Sequence, residues 1–204
     1  MPRLSPATQS RIRDGIESAA ADLFVAQGYA ATSTRQIADA IGITAGALYN
    51  HYPSKAELFA AVVRSYQTRL AVAPDNPLPE LLRHSTFPFD IPELAAGIKQ
   101  LVHRHRAYWL LWYIDVLEFG GEHFQGQLTP EAMIPRGTLE ARFDTLRAEG
   151  TLRVEPELAF IMTYMQLFNY YLVETVFGAR NHYGVPERRA VEGIADVLLH
   201  GVLA

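Results

Sequence analysis

The sequence predicts an all-α protein: an N-terminal three-helix part built on a helix-turn-helix, joined to a larger C-terminal helical domain. Three observations carry this. Apolar residues recur three and four apart along most of the chain. Gly, Pro and Ser/Thr caps fall where one helix must stop and another start. No run alternates apolar and polar residues as a half-buried strand would. The 204 residues are 49% hydrophobic and 20% charged, a composition that folds around its own core rather than staying disordered.

The N-terminal elements follow in order. Ile12, Ile16, Ala19, Ala20, Leu23 and Phe24 share one face of a first helix, which Gly28 ends. Ser33, Thr34, Arg35 and Gln36 form a capping box that opens a short helix with Ile37, Ala38 and Ile41 on one face. Gly42 stops that helix, and Thr44 caps the next, over residues 45–51. Pro53 breaks the chain. A second capping box, Ser54 to Glu57, opens a helix with Leu58, Phe59, Val62 and Val63 inward, running to about residue 72.

Pro74, Pro77, Pro79, Pro88 and Pro92 then crowd a broken connection with one short helix at 80–84. Asp90 is placed to cap a helix over 91–105. Residues 107–119 are apolar nearly all round, which predicts a buried helix ended by Gly120 and Gly121. A helix starts at Thr129 and Pro130, is interrupted at Pro135 and continues to Gly150. Two long helices close the chain, 156–177 and 186–202, the latter with Val191, Ile194, Leu198 and Val202 on one side. The domains divide as 1–53 and 54–204.

Composition also excludes functions. With no cysteine, disulfides, Cys-zinc sites, iron–sulfur clusters and thiol chemistry are ruled out. The longest apolar run, 107–114, is too short to cross a bilayer, and the opening residues lack the apolar core of a secretory signal. A cytoplasmic protein with no membrane partner is expected. His103, His105 and His123 form no metal set, because histidines two apart on a helix diverge and no carboxylate completes the ligand count. Asp115 and Glu118 have no nucleophile or phosphate loop beside them, so no catalytic residue, cofactor or enzyme activity is expected.

The net charge of −4 is unevenly placed. Residues 1–66 hold six Lys and Arg against five Asp and Glu, whereas 67–204 hold twelve against seventeen. Any polyanion is therefore expected at the N-terminal third. There, two short helices separated by Gly42, Ile43 and Thr44 make the arrangement whose second helix enters the major groove. Ala38, Ile43 and Leu48 are the expected contacts fixing the angle between them.

The wording goes further than the pattern. Ile16, Ala19, Ala20, Leu23, Phe24, Gly28 and Tyr29 precede Thr34-Arg35-Gln36-Ile37-Ala38. Ala40 to Tyr49, then His51, Tyr52, Lys55, Leu58 and Phe59, follow. Over residues 11–62 this resembles the TetR family of bacterial transcriptional regulators. The resemblance implies a homodimer whose last two long helices pair, and a helical regulatory domain with an effector pocket. It also implies that Arg35, Thr44, Ala45, Gly46, Ala47, Tyr49, His51 and Lys55 occupy positions that meet a double-stranded DNA operator. The side chains suit that role. Tyr49 and His51 can donate to phosphate, Lys55 supplies a point charge, and Arg35 can fork onto a guanine edge. Asn50 is a further candidate base reader. Ala45, Gly46 and Ala47 offer methyl groups and backbone, so part of the specificity is expected to come from DNA shape. Arg3, Arg11 and Arg13 can add phosphate or minor-groove contacts.

Aromatic residues concentrate between 108 and 171. An apolar cavity with a few polar handles is how small ligands are held. Trp112, Tyr113, Asp115, Tyr164, Gln166, Phe168 and Asn169 are the candidate lining. The expected function is a repressor that binds a palindromic operator as a dimer and is released by a small, mostly apolar molecule. The alternative is a TetR-like DNA-binding protein controlled by protein partners, with no ligand pocket.

Overall fold

A computed structural model describes residues 5–71, 73, 76–134 and 136–202. Among them there are helices and no β-strand. Arg3 and Pro135 lie outside the described residues, as does the side chain of Val202. The chain packs as two units: residues 5–71 with 110–124, and 73–109 with 125–202.

The first unit opens with α1 (Pro6–Gln27), whose cap Ser5 accepts from the Thr8 amide at 3.2 Å. Gly28 ends it at φ 87°, a conformation that favours glycine, and donates its N–H to Phe24 O. The capping box of α2 (Thr34–Ala40) is complete: Gln36 N donates to Ser33 Oγ, and Ser33 N donates to Gln36 Oε1 at 2.8 Å. Gly42, at φ 70°, makes the turn, and Ile43 N returns to Ala38 O at 3.0 Å. Helix α3 (Ala45–Tyr49) has five residues, too few to be stable by itself. Thr44 caps it at 3.1 Å, and the wholly buried Leu48 anchors it. The next helix, α4 (Lys55–Ala71), begins after Ser54, whose Oγ accepts from Glu57 N at 3.1 Å. It packs on α1, burying Leu58, Phe59, Val62 and Val63 along with Ile16, Ala20 and Phe24 of α1, and Phe59 meets Phe24 at 5.6 Å. Each such side chain contributes about 1.5–3 kcal/mol on burial. The sequence division at 53/54 assigns α4 to the second domain; here α4 packs in the first unit.

The second unit contains α5 (Leu78–Arg83), α6 (Ile91–Arg104), the start of α7 (Arg106–Phe119), a 3-10 turn (Gln125–Gln127), α8 (Pro130–Met133), α9 (Glu140–Glu149), α10 (Pro156–Phe177) and α11 (Glu187–Val202). Its centre is α10 against α6, with Leu94, Ile98 and Val102 of α6 and Phe160, Leu167 and Tyr171 of α10 all buried. Gly97 lets α5 close on α6, since a Cβ there would meet Leu78 Cδ2 at 3.2 Å. Between α6 and α7 the Trp109 indole donates to Val102 O at 3.0 Å. Asp90 departs from expectation: it precedes α6 but makes no cap bond, and its carboxylate accepts from Thr86 N at 2.9 Å in the preceding turn. No described helix is long and apolar enough to cross a membrane.

Candidate nucleic-acid interface

The exposed edge of α2 and α3 carries the expected readers. Arg35 lies in the first turn of α2, with an ion pair to Asp39 of 3.9 Å between two largely exposed side chains. Such a pair holds a side chain only weakly, so the guanidinium is free to swing outward. Tyr49, 48% exposed, ends α3, and its hydroxyl lies 3.1 Å from Thr34 Oγ1. That bond joins the two helices at their outer edge. Thr34 was not among the expected site residues; its place beside the cap of α2 was the available signal.

Thr44 is used as a cap, which orients Ala45, Gly46 and Ala47 along the first turn of α3. Gly46 is exposed, and a Cβ built on it would meet nothing closer than Thr44 Oγ1 at 3.9 Å. The fold therefore does not require glycine there, although glycine costs a helix about 1 kcal/mol relative to alanine. Asn50 caps the end of α3 and is exposed, while His51 is half-buried. Neither side chain bonds to another described residue. Arg11 is exposed beside Thr8, Ile12, Gly15, Ile41 and Ile43, which line a shallow cleft at the helix-turn-helix turn. Arg13 instead lies over the Tyr52 ring at 5.2 Å. The Tyr52 hydroxyl donates to Glu17 at 2.5 Å; burial, then that carboxylate, pushes its pKa up to about 12.

The Lys55 ammonium is engaged from within the fold. It donates to Tyr29 O at 2.8 Å and Thr32 O at 2.9 Å, and it sits 4.1 Å from the Tyr29 ring centre. Two of the three ammonium donors are thereby satisfied by backbone carbonyls. Lys55 thus braces the turn between α1 and α2. Thr32 Oγ1 donating to Gly28 O, and Gln27 reaching Thr32 Oγ1 and Ala31 O, hold the same turn.

The expected effector residues are drawn from both units. Trp112, Tyr113 and Asp115 belong to the first unit; Tyr164, Gln166, Phe168 and Asn169 belong to the second. Asp115 is already engaged within its own unit. Its carboxylate is wholly buried, and both oxygens are taken by His123, at 3.1 Å from the backbone N and 2.5 Å from Nδ1. Trp112 stacks on Phe124 at 5.4 Å, and Tyr113 is 38% exposed. In the second unit, Phe160, Tyr164 and Phe168 stack in file along α10 at 6.2 and 6.0 Å. Trp109 stands edge-on to Phe168 at 5.0 Å. Burial, then Tyr108, raises the Tyr164 pKa to about 12, so its hydroxyl stays a donor at neutral pH. Gln166 donates to the Tyr183 hydroxyl at 2.7 Å on the exposed side of α10, where Asn169 also lies. Trp109 and Phe160, which complete the file, were missed; Phe160 and Tyr164 are four apart on one helix, a signal present in the sequence. Among the described residues, no three His, Asp or Glu side chains gather as metal ligands.

The chain is similar to known proteins. Residues 16–62 match the model of the bacterial regulatory proteins of the tetR family. The HTH-type transcriptional repressor AcnR of Corynebacterium jeikeium (strain K411) is 24% identical over 202 residues, covering 97% of this chain and 94% of that protein. The HTH-type transcriptional repressor KstR2 of Mycobacterium tuberculosis (strain ATCC 25618 / H37Rv) is 39% identical over 66 residues, 32% of each chain. Among solved structures, the Flavonoid-responsive Regulator FrrA superposes with a TM-score of 0.61 at 26% identity, covering 95% of this chain and 98% of that one.

Proposed function

The chain belongs to the TetR family of bacterial regulatory proteins, a family of DNA-binding transcriptional regulators and not enzymes, and on that premise we propose that it is a dimeric repressor of a palindromic operator, released by a small, mostly apolar effector. The observation that carries the DNA contact is Gly46. An exposed helical glycine that the fold does not need is explained by a surface that must come close, and the DNA backbone is such a surface. Arg35 and Asn50 then read bases, Tyr49 and His51 hold phosphates, and Ala45 and Ala47 present methyl groups to thymine.

Dimerisation is supported by α10. Leu158, Met162 and Met165 are 50%, 54% and 36% exposed, and with Asn169 they recur four, three and four residues apart. That is the spacing of a helix seam packed on a partner helix. Val197 of α11 adds an apolar side chain that is 72% exposed. The proposed effector seat is the file of Phe160, Tyr164, Phe168 and Trp109, whose ring faces suit a flat, uncharged molecule and whose Tyr164 hydroxyl supplies one donor.

Selection from a random DNA pool tests the proposal. The enriched fragments should contain an inverted repeat with half-sites one or more turns apart, about 34–36 Å per turn. Arg35→Ala should weaken that site by roughly 1–3 kcal/mol and relax one base position. A pool with no enrichment sinks the operator. For the effector, a planar aromatic compound that quenches Trp109 saturably must lower operator affinity, and operator must lower its affinity by the same factor.

A further inference from the structure

Residues 110–124 close the first unit around a single ring. Phe59 of α4 is wholly buried, with Phe24 at 5.6 Å, Tyr29 at 5.6 Å, Phe119 stacked at 4.9 Å and His123 edge-on at 5.6 Å. Tyr29 also meets Phe119 directly at 5.0 Å. One helical turn before Phe59, Lys55 holds the Tyr29 and Thr32 carbonyls, immediately ahead of the cap of α2. His123, another member of the hub, is tied from two helices. Asp115 of α7 takes its N–H and its ring nitrogen, and Gln67 of α4 donates to its carbonyl at 3.1 Å. A wholly buried carboxylate is costly to hold where an apolar side chain would pack. It is explained by what it fixes: the turn after α7, and with it Phe119 and His123 against Phe59.

We propose that Asp115 and His123 are positioning residues for operator binding: a latch that seats Phe119 and His123 on the Phe59 hub and, through Tyr29 and Lys55, sets the turn that aims α2 and α3. The proposal rests on the operator-binding function above. No latch residue touches DNA, so its loss changes affinity without changing the number of phosphate contacts.

The test uses the full chain carrying Asp115→Asn, and Phe119→Leu as a second variant that keeps bulk but removes the ring. Hydrogen exchange is read at the Thr32, Gln36 and Ile37 amides, which are bonded in and after the α1–α2 turn. Either variant should speed exchange there by about tenfold, far from the substitution. Affinity for the selected operator should fall by about fivefold or more with the salt slope unchanged. Combined with Lys55→Met, the loss should be less than the product of the single losses, because both act on one turn. Faster exchange confined to 115–124, or multiplicative losses in the double variant, overturns the latch. Should the wild-type chain select no DNA, the operator function fails, while the exchange measurement still decides the latch.

Discussion

The two units arrange their aromatic residues differently. In the first, Phe24, Tyr29, Phe119 and His123 converge on Phe59, so each ring is held from several sides. In the second, Phe160, Tyr164 and Phe168 stand in a row along α10, with Phe87 and Phe143 at one end and Trp109 at the other. A hub leaves no ring free to move alone, which suits a unit that must present α3 at one angle. On the reading proposed above, the row is the part that opens for a flat guest. That reading assigns geometry to one unit and adaptability to the other.

The strongest way to break that comparison is one truncation in each unit. Phe59→Ala should cost about 3–5 kcal/mol and abolish operator binding, because no neighbour can collapse into the hub. Phe168→Ala should cost less and leave operator binding intact while removing effector response. Equal costs in chemical denaturation, or operator binding lost with Phe168, would show the row to be as rigid as the hub.

Lys55→Met comes next. Losing two bonds from an ammonium should lower unfolding free energy by about 1.5–3 kcal/mol. The salt dependence of operator affinity should keep its slope; a slope smaller by about one phosphate would return Lys55 to the DNA surface. Gly46→Ala sharpens the same contrast between fold and contact. It should stabilise the chain by about 0.5–1 kcal/mol and still weaken operator binding. Tighter binding would remove the close approach.

A further effect is alkaline and touches both units. Tyr52 and Tyr164 have pKa values raised to about 12, against about 10 for a free tyrosine. The folded state holds these protons more tightly, so their contribution is complete below pH 10 and is lost as pH rises from 10 through 12. Denaturation midpoints should fall over that window, and Tyr52→Phe should remove the Tyr52 part of the fall, leaving what Tyr29 and Tyr66 of the same unit contribute.

Helix ends were legible because capping is local chemistry. Ser33 with Gln36, Thr44, Gly28 and Gly42 each act within four residues of themselves, and each stands where expected. The long helix 156–177 is α10 as read. The side chains that act at a distance were not legible. Lys55 reads as a surface lysine until the Tyr29 and Thr32 carbonyls come beside it, 26 and 23 residues back. Asp115 reads as a pocket handle because nothing local says that His123, beyond the two glycines, will fold back onto it. The seven candidate effector residues were grouped by type and proximity in sequence, whereas packing sorts them at the middle of α7.

That sorting bears on how such regulators can be recombined. A graft that moves the N-terminal helices of this protein onto the core of another would leave the stretch 110–124 behind, and with it two faces of the Phe59 hub. The transplanted headpiece would arrive with its helix-turn-helix complete and its floor missing. Chimeras of this protein should therefore be cut twice, carrying the end of α7 together with α1 to α4, so that the swapped piece is a unit of packing instead of a unit of sequence.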